Sequence, residues 1–522
     1  MIKNFKWLFL VSLTFVACSK NDDVTMDSNS SDGLPLTSGS ANFSKYVALG
    51  NSLTSGYSDG ALFIEGQKGA YPALLAQQFA LVGGGDFTTP FMADNVGGFK
   101  VGGMVASGPR LYFNGSAPVP VSGTPSTEIL THLTGPFNNM GVPGAKSFHL
   151  LSNSYGNPAG IGTYANPYFV RFASSASATV LGDATAQNPT FFSLWIGNND
   201  VLSYATSGGT GVNQTGNMNP ATYGSNDITD PTAFASVYNT LINGLTANGA
   251  KGVVSNIPYV TSVPYFTTVP TNPIPGLPAA SAAQLNQLFG AINQITTALG
   301  QPNRFVTIAA DDNNPATTEK NPLLIADESL PNLATYITGA LTPALGAATA
   351  SYVGNLYGRA RHASNVAATT TTAAKIDYIL LTAQSVIGTT QSGAPSPFNT
   401  VGVSYPMQDS TTLTYEETAE VVTATDAYNT TIQSLATSKG LAFVNANAIM
   451  AQVAKSGLTY NGFTMTSTYV TGNSFSLDGI HPSPKGYALI ANKFIEAINA
   501  TYGSNLKGPD LGGYRILFPA SL

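Results

Sequence analysis

Short, predominantly apolar runs that stop abruptly constrain the fold of this chain more than any other feature. Tyr46-Val47-Ala48-Leu49 ends at Gly50, Thr190-Phe191-Phe192-Ser193-Leu194-Trp195-Ile196 ends at Gly197, and Gly252-Val253-Val254-Ser255-Asn256-Ile257 is a third such run. A strand with one wet face alternates apolar and polar residues, whereas a continuous apolar run needs cover on both faces, as in a parallel sheet sandwiched by helices. Helical patterns separate these runs. Leu74, Leu75 and Phe79 share one face of a predicted helix over Tyr71–Phe79. Asp230-Pro231 caps another helix, which carries Phe234, Val237, Tyr238, Leu241, Ile242 and Leu245 at helical spacing. Thr414-Tyr415-Glu416-Glu417 is a capping box that opens a long helix to about Ser438, followed by a strand at Leu441–Asn445. A shorter strand is expected around Phe137–Met140. The alternation predicts an α/β fold, a three-layer doubly wound parallel sheet.

Two segments break the alternation. Residues 81–135 are rich in Gly, Pro and Ser without periodicity and are expected to form a long insertion with local hairpins. Residues 258–412 hold a Pro-rich stretch, a helix near Ala282–Leu299 and Thr/Ala-rich segments including Thr369–Thr372. They are expected to cap the strand ends or form a subdomain there. The domain is therefore placed at 41–522, with insertions at about 81–135 and 258–412.

The first residues read as an export signal. Lys3 and Lys6 precede the apolar run Trp7–Ala17, which is shorter than the roughly 20 residues a transmembrane helix needs and ends at Cys18. This resembles the lipobox of bacterial lipoproteins, which implies a signal peptide at 1–17 and lipid attachment at Cys18. The alternative is an ordinary secretory signal in which Cys18 is incidental. Cys18 is the only cysteine, so an intrachain disulfide and a thiol nucleophile in the folded domain are both excluded. Ser19-Lys20-Asn21-Asp22-Asp23 resembles the acidic export tag of surface lipoproteins, and the polar stretch 18–40 is expected to be a flexible tether. The expected location is the outer membrane, reached through the lipid anchor, with exposure at the cell surface as the further expectation. Only 9% of the 522 residues are charged and the net charge is -6. No basic stripe is available to displace counterions from phosphates, so nucleic acid is not an expected partner.

Three motifs, each following a predicted strand or opening a helix, carry chemistry. Gly50-Asn51-Ser52-Leu53 puts a serine in the turn after the first strand. Ile196-Gly197-Asn198-Asn199-Asp200 puts an amide side chain, able to donate to a developing oxyanion, after another. Asp478-Gly479-Ile480-His481-Pro482 places a carboxylate three residues before an imidazole, just ahead of a helix starting near Ser483-Pro484 with Tyr487, Ile490, Ala491, Phe494, Ile495 and Ile498 on one face. That spacing lets the carboxylate accept the Nδ1 proton and leaves Nε2 as base for a serine hydroxyl. Of the four histidines, His132, His149 and His362 lack such a partner and read as structural. No His, Cys and carboxylate cluster shows ligand spacing, so neither a catalytic metal nor any other cofactor is expected.

Together with Asn139-Met140-Gly141-Val142-Pro143-Gly144, these blocks in this order resemble the SGNH or GDSL-type hydrolase family. The resemblance implies a flavodoxin-like three-layer fold and serine ester hydrolysis. Ser52 would be the nucleophile and His481 the base oriented by Asp478. Gly144, Asn199 and the Ser52 backbone N–H would donate to the oxyanion, glycine at 144 leaving the amide free to approach. Asn51 departs from the aspartate usual in the family. Expected substrates are small-molecule, lipid or acylated-glycan esters, with the two insertions expected to decide among them. The alternatives are a polysaccharide O-acetyl esterase of the same mechanism and a non-catalytic surface module that binds glycans.

Overall fold

A computed structural model describes residues 28–314 and 316–522. The expected signal peptide at 1–17 and Cys18 lie outside the described residues. Five parallel strands form the central sheet: β1 (Tyr46–Gly50), β2 (Asn139–Gly141), β3 (Phe191–Trp195), β4 (Lys251–Ser255) and β5 (Ala442–Val444). Their order is β2-β1-β3-β4-β5. One register row crosses the whole sheet, running Asn139, Ala48, Ser193, Val253, Ala442. All five strands face buried surroundings on both sides, which is why their sequences lack polar alternation.

The helices that accompany the strands include α1 (Ser52–Ser55), α2 (Tyr71–Ala80), α3 (Asn199–Thr206), α4 (Pro231–Thr246), α5 (Tyr415–Lys439), α6 (Ala446–Lys455) and α7 (Pro484–Tyr502). Val47, Leu49, Phe192 and Leu194 point to one face and pack against α3, α4 and α5. Tyr46, Ala48, Phe191 and Trp195 point to the other and pack against α2, α6 and α7. The alternation that is invisible in residue type thus reappears as alternation between two cores. Among the described residues no helix is long and apolar enough to cross a membrane.

The chain starts at β1, visits β2 on one side and then crosses to β3 on the other. The crevice beyond the carboxyl ends of β1 and β3 is therefore the point where strand order reverses, the place where open α/β sheets bind ligands. Ser52 follows β1 and Asn199 follows β3, so two of the three motifs border that crevice.

The insertion at 81–135 forms two hairpins, Phe99–Val101 with Met104–Ser107 and Leu111–Phe113 with Pro118–Pro120. The insertion at 258–412 builds a core of its own from Phe289, Ile292, Phe305, Ile337, Val353 and Tyr357. Its first turn is rooted in the main domain, where the Tyr265 N–H donates to Gly479 O at 2.9 Å, beside the Asp478–His481 turn. Residues 30–40 differ from the expected tether. Ser31 N donates to Asn505 O, Thr37 N to Asn505 Oδ1 and Ser40 N to Tyr502 O, each at 2.8 Å. The polar composition suggested a flexible tether, but hydrogen-bond partners more than 460 residues away tie the stretch down.

Candidate active site

The turn after β1 depends on a missing side chain. A Cβ at Gly50 would lie 2.1 Å from Thr54 Oγ1 and 2.4 Å from Trp195 O, so only glycine lets α1 fold back onto the strand end. Asn51 caps α1, its Oδ1 accepting from Leu53 N at 3.0 Å. That bond orients the amide, and Asn51 Nδ2 then donates to Asn198 Oδ1 at 3.2 Å. The extra donor that distinguishes Asn from Asp at this position therefore has an acceptor. Ser52, the first residue of α1, is 7% exposed.

Asp478 is held from every side. Its Oδ2 accepts from His481 Nδ1 at 2.8 Å and from Gly60 N at 3.0 Å. Its Oδ1 accepts from His481 N, Ile480 N and Ser476 Oγ at 2.8, 2.9 and 3.1 Å. Burial opposes ionisation of this carboxyl, but the His481 charge and the converging donors outweigh it and bring its pKa down to about 2. A carboxylate at Nδ1 fixes the proton there and leaves His481 Nε2 as the acceptor end of the ring. The Tyr57 ring packs against the imidazole with centroids 4.6 Å apart. Behind the turn, Ser483 Oγ accepts from Gly486 N at 2.9 Å and starts α7.

Asn199 opens α3, and its Nδ2 donates to Ala145 O at 2.9 Å. The next residue, Asp200, accepts from Ser147 N and Ser147 Oγ at 2.8 and 2.7 Å. The first turn of α3 thereby grips the segment that follows Gly144. Gly144 has φ +79°, yet a Cβ there would meet nothing within 4 Å. Glycine at this position answers the left-handed backbone and not the crowding that close approach to an oxyanion would suggest.

A cavity of about 140 Å³ brings the motifs together. Ser52, Asn51, Asn198, Asn199 and His481 line it, with Trp195 and Val444 from the strand ends and side chains of α6 and α7. Asp478 stands behind His481. Gly144 lies outside the wall, one residue from the Asn199–Ala145 bond. No residue of 81–135 lines the cavity, and 258–412 contributes only Pro258, Val260 and Val263. The insertion at 81–135 therefore takes no part in the wall, and 258–412 contributes only its first few residues.

Sequence reasoning missed Asp59. Its N–H donates to Ser476 Oγ at 3.0 Å and its Oδ1 accepts from Leu477 N at 2.9 Å, which locks the turn after α1 to the Asp478 turn. Asp59 is 1% exposed and its Oδ2 has no hydrogen-bond partner among the described residues. Burial, reinforced by nearby Asp478 and opposed by the Leu477 bond and Arg110, pushes its carboxyl up to about 7. The signal available was slight: an Asp-Gly turn seven residues after Ser52.

The other histidines are engaged elsewhere. His132 Nε2 bonds Ala173 O at 2.9 Å, His149 Nδ1 accepts from Lys146 N at 3.1 Å, and His362 Nδ1 accepts from Val306 N at 3.0 Å. Burial lowers His149 and His362 to about 4. Carboxylates unrelated in sequence do meet in space, as Glu328, Asp409 and Glu417 and as Asp311, Asp312 and Glu319. None of them lines the Ser52 cavity. No family model, curated protein or solved structure matches the chain.

Proposed function

We propose that this chain is a serine carboxylic-ester hydrolase of the SGNH or GDSL type. The observation that carries the reading is the Asp478–His481 pair, 2.8 Å apart, sharing one cavity with Ser52 where strand order reverses. His481 Nε2 takes the Ser52 hydroxyl proton as Oγ attacks the ester carbonyl, then passes it to the departing alcohol. Asn199 has committed one amide N–H to Ala145 O and keeps the other for the oxyanion, aided by the Gly144 and Ser52 backbone amides. Water, activated by the same imidazole, then releases the acid and restores Ser52. No step draws on a metal or organic cofactor. The resemblance at the amino terminus supports a lipid anchor on Cys18 and a place on the outer membrane, facing ester substrates at or outside the cell surface.

Polysaccharide O-acetyl ester hydrolysis uses the same machinery and is the alternative substrate class. A glycan-binding module without catalysis has no use for a carboxylate held at about 2 behind an imidazole. The test is labelling of the folded protein, lacking residues 1–18, with a fluorophosphonate, beside p-nitrophenyl ester turnover. Wild type is expected to label once at Ser52, and Ser52→Ala to abolish labelling and lower turnover by about a thousandfold or more. A folded wild type that neither labels nor hydrolyses any ester, acetylated polysaccharide included, refutes the enzyme reading.

A further inference from the structure

We infer that the cavity is an acyl-chain slot. It seats a straight aliphatic acyl group between α6 and α7, and those two helices rather than the long insertions set the chain length accepted. The inference rests on the esterase reading and names the substrate class that reading leaves open.

Asn51, Ser52, Asn198, Asn199 and His481 supply the reacting centre, where an ester group needs them, and Ser474 also lines the cavity, its Oγ without a hydrogen-bond partner among the described residues. Along the helices the lining is hydrocarbon: Ile449, Met450 and Val453 from α6, and Leu489, Ile490 and Phe494 from α7. The spacing places each trio on one helix face. The α7 lining begins at Gly486, five residues after His481, and ends at Phe494, so it follows the helix for about 12 Å at 1.5 Å per residue. Among the described residues, Lys493 is the one Lys, Arg, Asp or Glu side chain in the wall. Its ammonium is engaged by Glu496 at 2.9 Å and lies 4.7 Å from the centroid of the Tyr460 ring.

An acetyl group would leave this hydrocarbon unmatched, and a sugar would find few polar partners along it. Each methylene transferred from water to such a wall raises kcat/KM by up to about fourfold. The slot therefore predicts a steep rise along the acyl series.

The experiment measures kcat/KM for p-nitrophenyl acetate, butyrate, hexanoate, octanoate and decanoate with wild type, Met450→Trp and Ile490→Trp, folding being checked by circular dichroism. Wild type is expected to gain at least a hundredfold from acetate to octanoate. Each tryptophan is expected to lower the octanoate-to-acetate ratio at least tenfold. Should one variant fail to fold, the other and the wild-type series still decide. A Ser52-dependent rate that is flat or falls beyond acetate overturns the slot and leaves the esterase reading standing. So does a ratio unchanged in a folded tryptophan variant. Absence of both ester turnover and Ser52 labelling overturns the two together.

Discussion

Five hydrogen bonds converge on Asp478, and Asp59, which the motifs do not reveal, braces one of their donors, Ser476, and the neighbouring Leu477 N–H. The proposed triad Ser52, Asp478 and His481 was legible because such a relay makes local demands: a serine at a strand end, and a carboxylate three residues from an imidazole before a capped helix. Asp59 contacts Leu477 across 418 positions, and no local pattern encodes that. Its titration has a definite consequence. The carboxyl sits near 3.9 in an unfolded chain and near 7 when folded, so the native state holds a proton the unfolded state has released. Its contribution is fully present below about pH 4 and is lost as pH rises through about 7. Asp59→Asn removes that loss. The variant is expected to exceed wild type in stability at pH 8 by on the order of 2 kcal/mol and to match it near pH 4, as urea unfolding at the two values would measure. Equal gaps at both values would show that Asp59 does not titrate this way.

Among the elements, α5 shows both what a cap encodes and what it conceals. Thr414 and Glu417 form the expected box, with Thr414 N donating to Glu417 Oε2 at 2.7 Å and Glu417 N to Thr414 Oγ1 at 3.4 Å. The same Glu417 carboxyl meets Asp409 and Glu328, which arrive from the insertion. Glu417 Oε1 and Asp409 Oδ1 are buried without a hydrogen-bond partner among the described residues. Burial and mutual repulsion push Asp409 and Glu417 upward. Groups raised in the folded state stabilise it below their unfolded values, and that stability drains away as pH rises towards their folded ones. The melting temperature is accordingly expected to be higher at pH 5.5 than at pH 8. Glu417→Gln, which keeps an oxygen for Thr414 N, is expected to reduce that difference by on the order of 1 kcal/mol in thermal melts at the two pH values. An unchanged difference would mean the three carboxyls do not share a proton-dependent contact.

At the scale of the whole molecule, Arg361 joins the large insertion to the main domain. Its guanidinium bonds Asp327 at 2.5 Å and Asp377 at 2.5 and 2.9 Å, and lies 5.1 Å from the centroid of the Tyr415 ring at the start of α5. Asp377 also accepts from Tyr415 N at 3.0 Å. Removing the cation strands two buried carboxylates, so Arg361→Ala is expected to cost about 3–5 kcal/mol. It is also expected to expose 258–412 to limited proteolysis before the sheet unfolds, and cleavage spread evenly over the chain would contradict this. The sequence by itself determined the parallel sheet, the capped helices and the three residues proposed as the triad. Each of these follows from short-range rules: burial on both faces removes alternation, caps satisfy nearby N–H groups, and a relay needs fixed spacing. Only the tertiary structure decided that 30–40 is tied down, that Asp59 braces the Asp478 turn and that α6 and α7 wall the cavity beside Pro258, Val260 and Val263. Those outcomes depend on which distant surfaces meet, and that is settled by packing the two cores against one sheet.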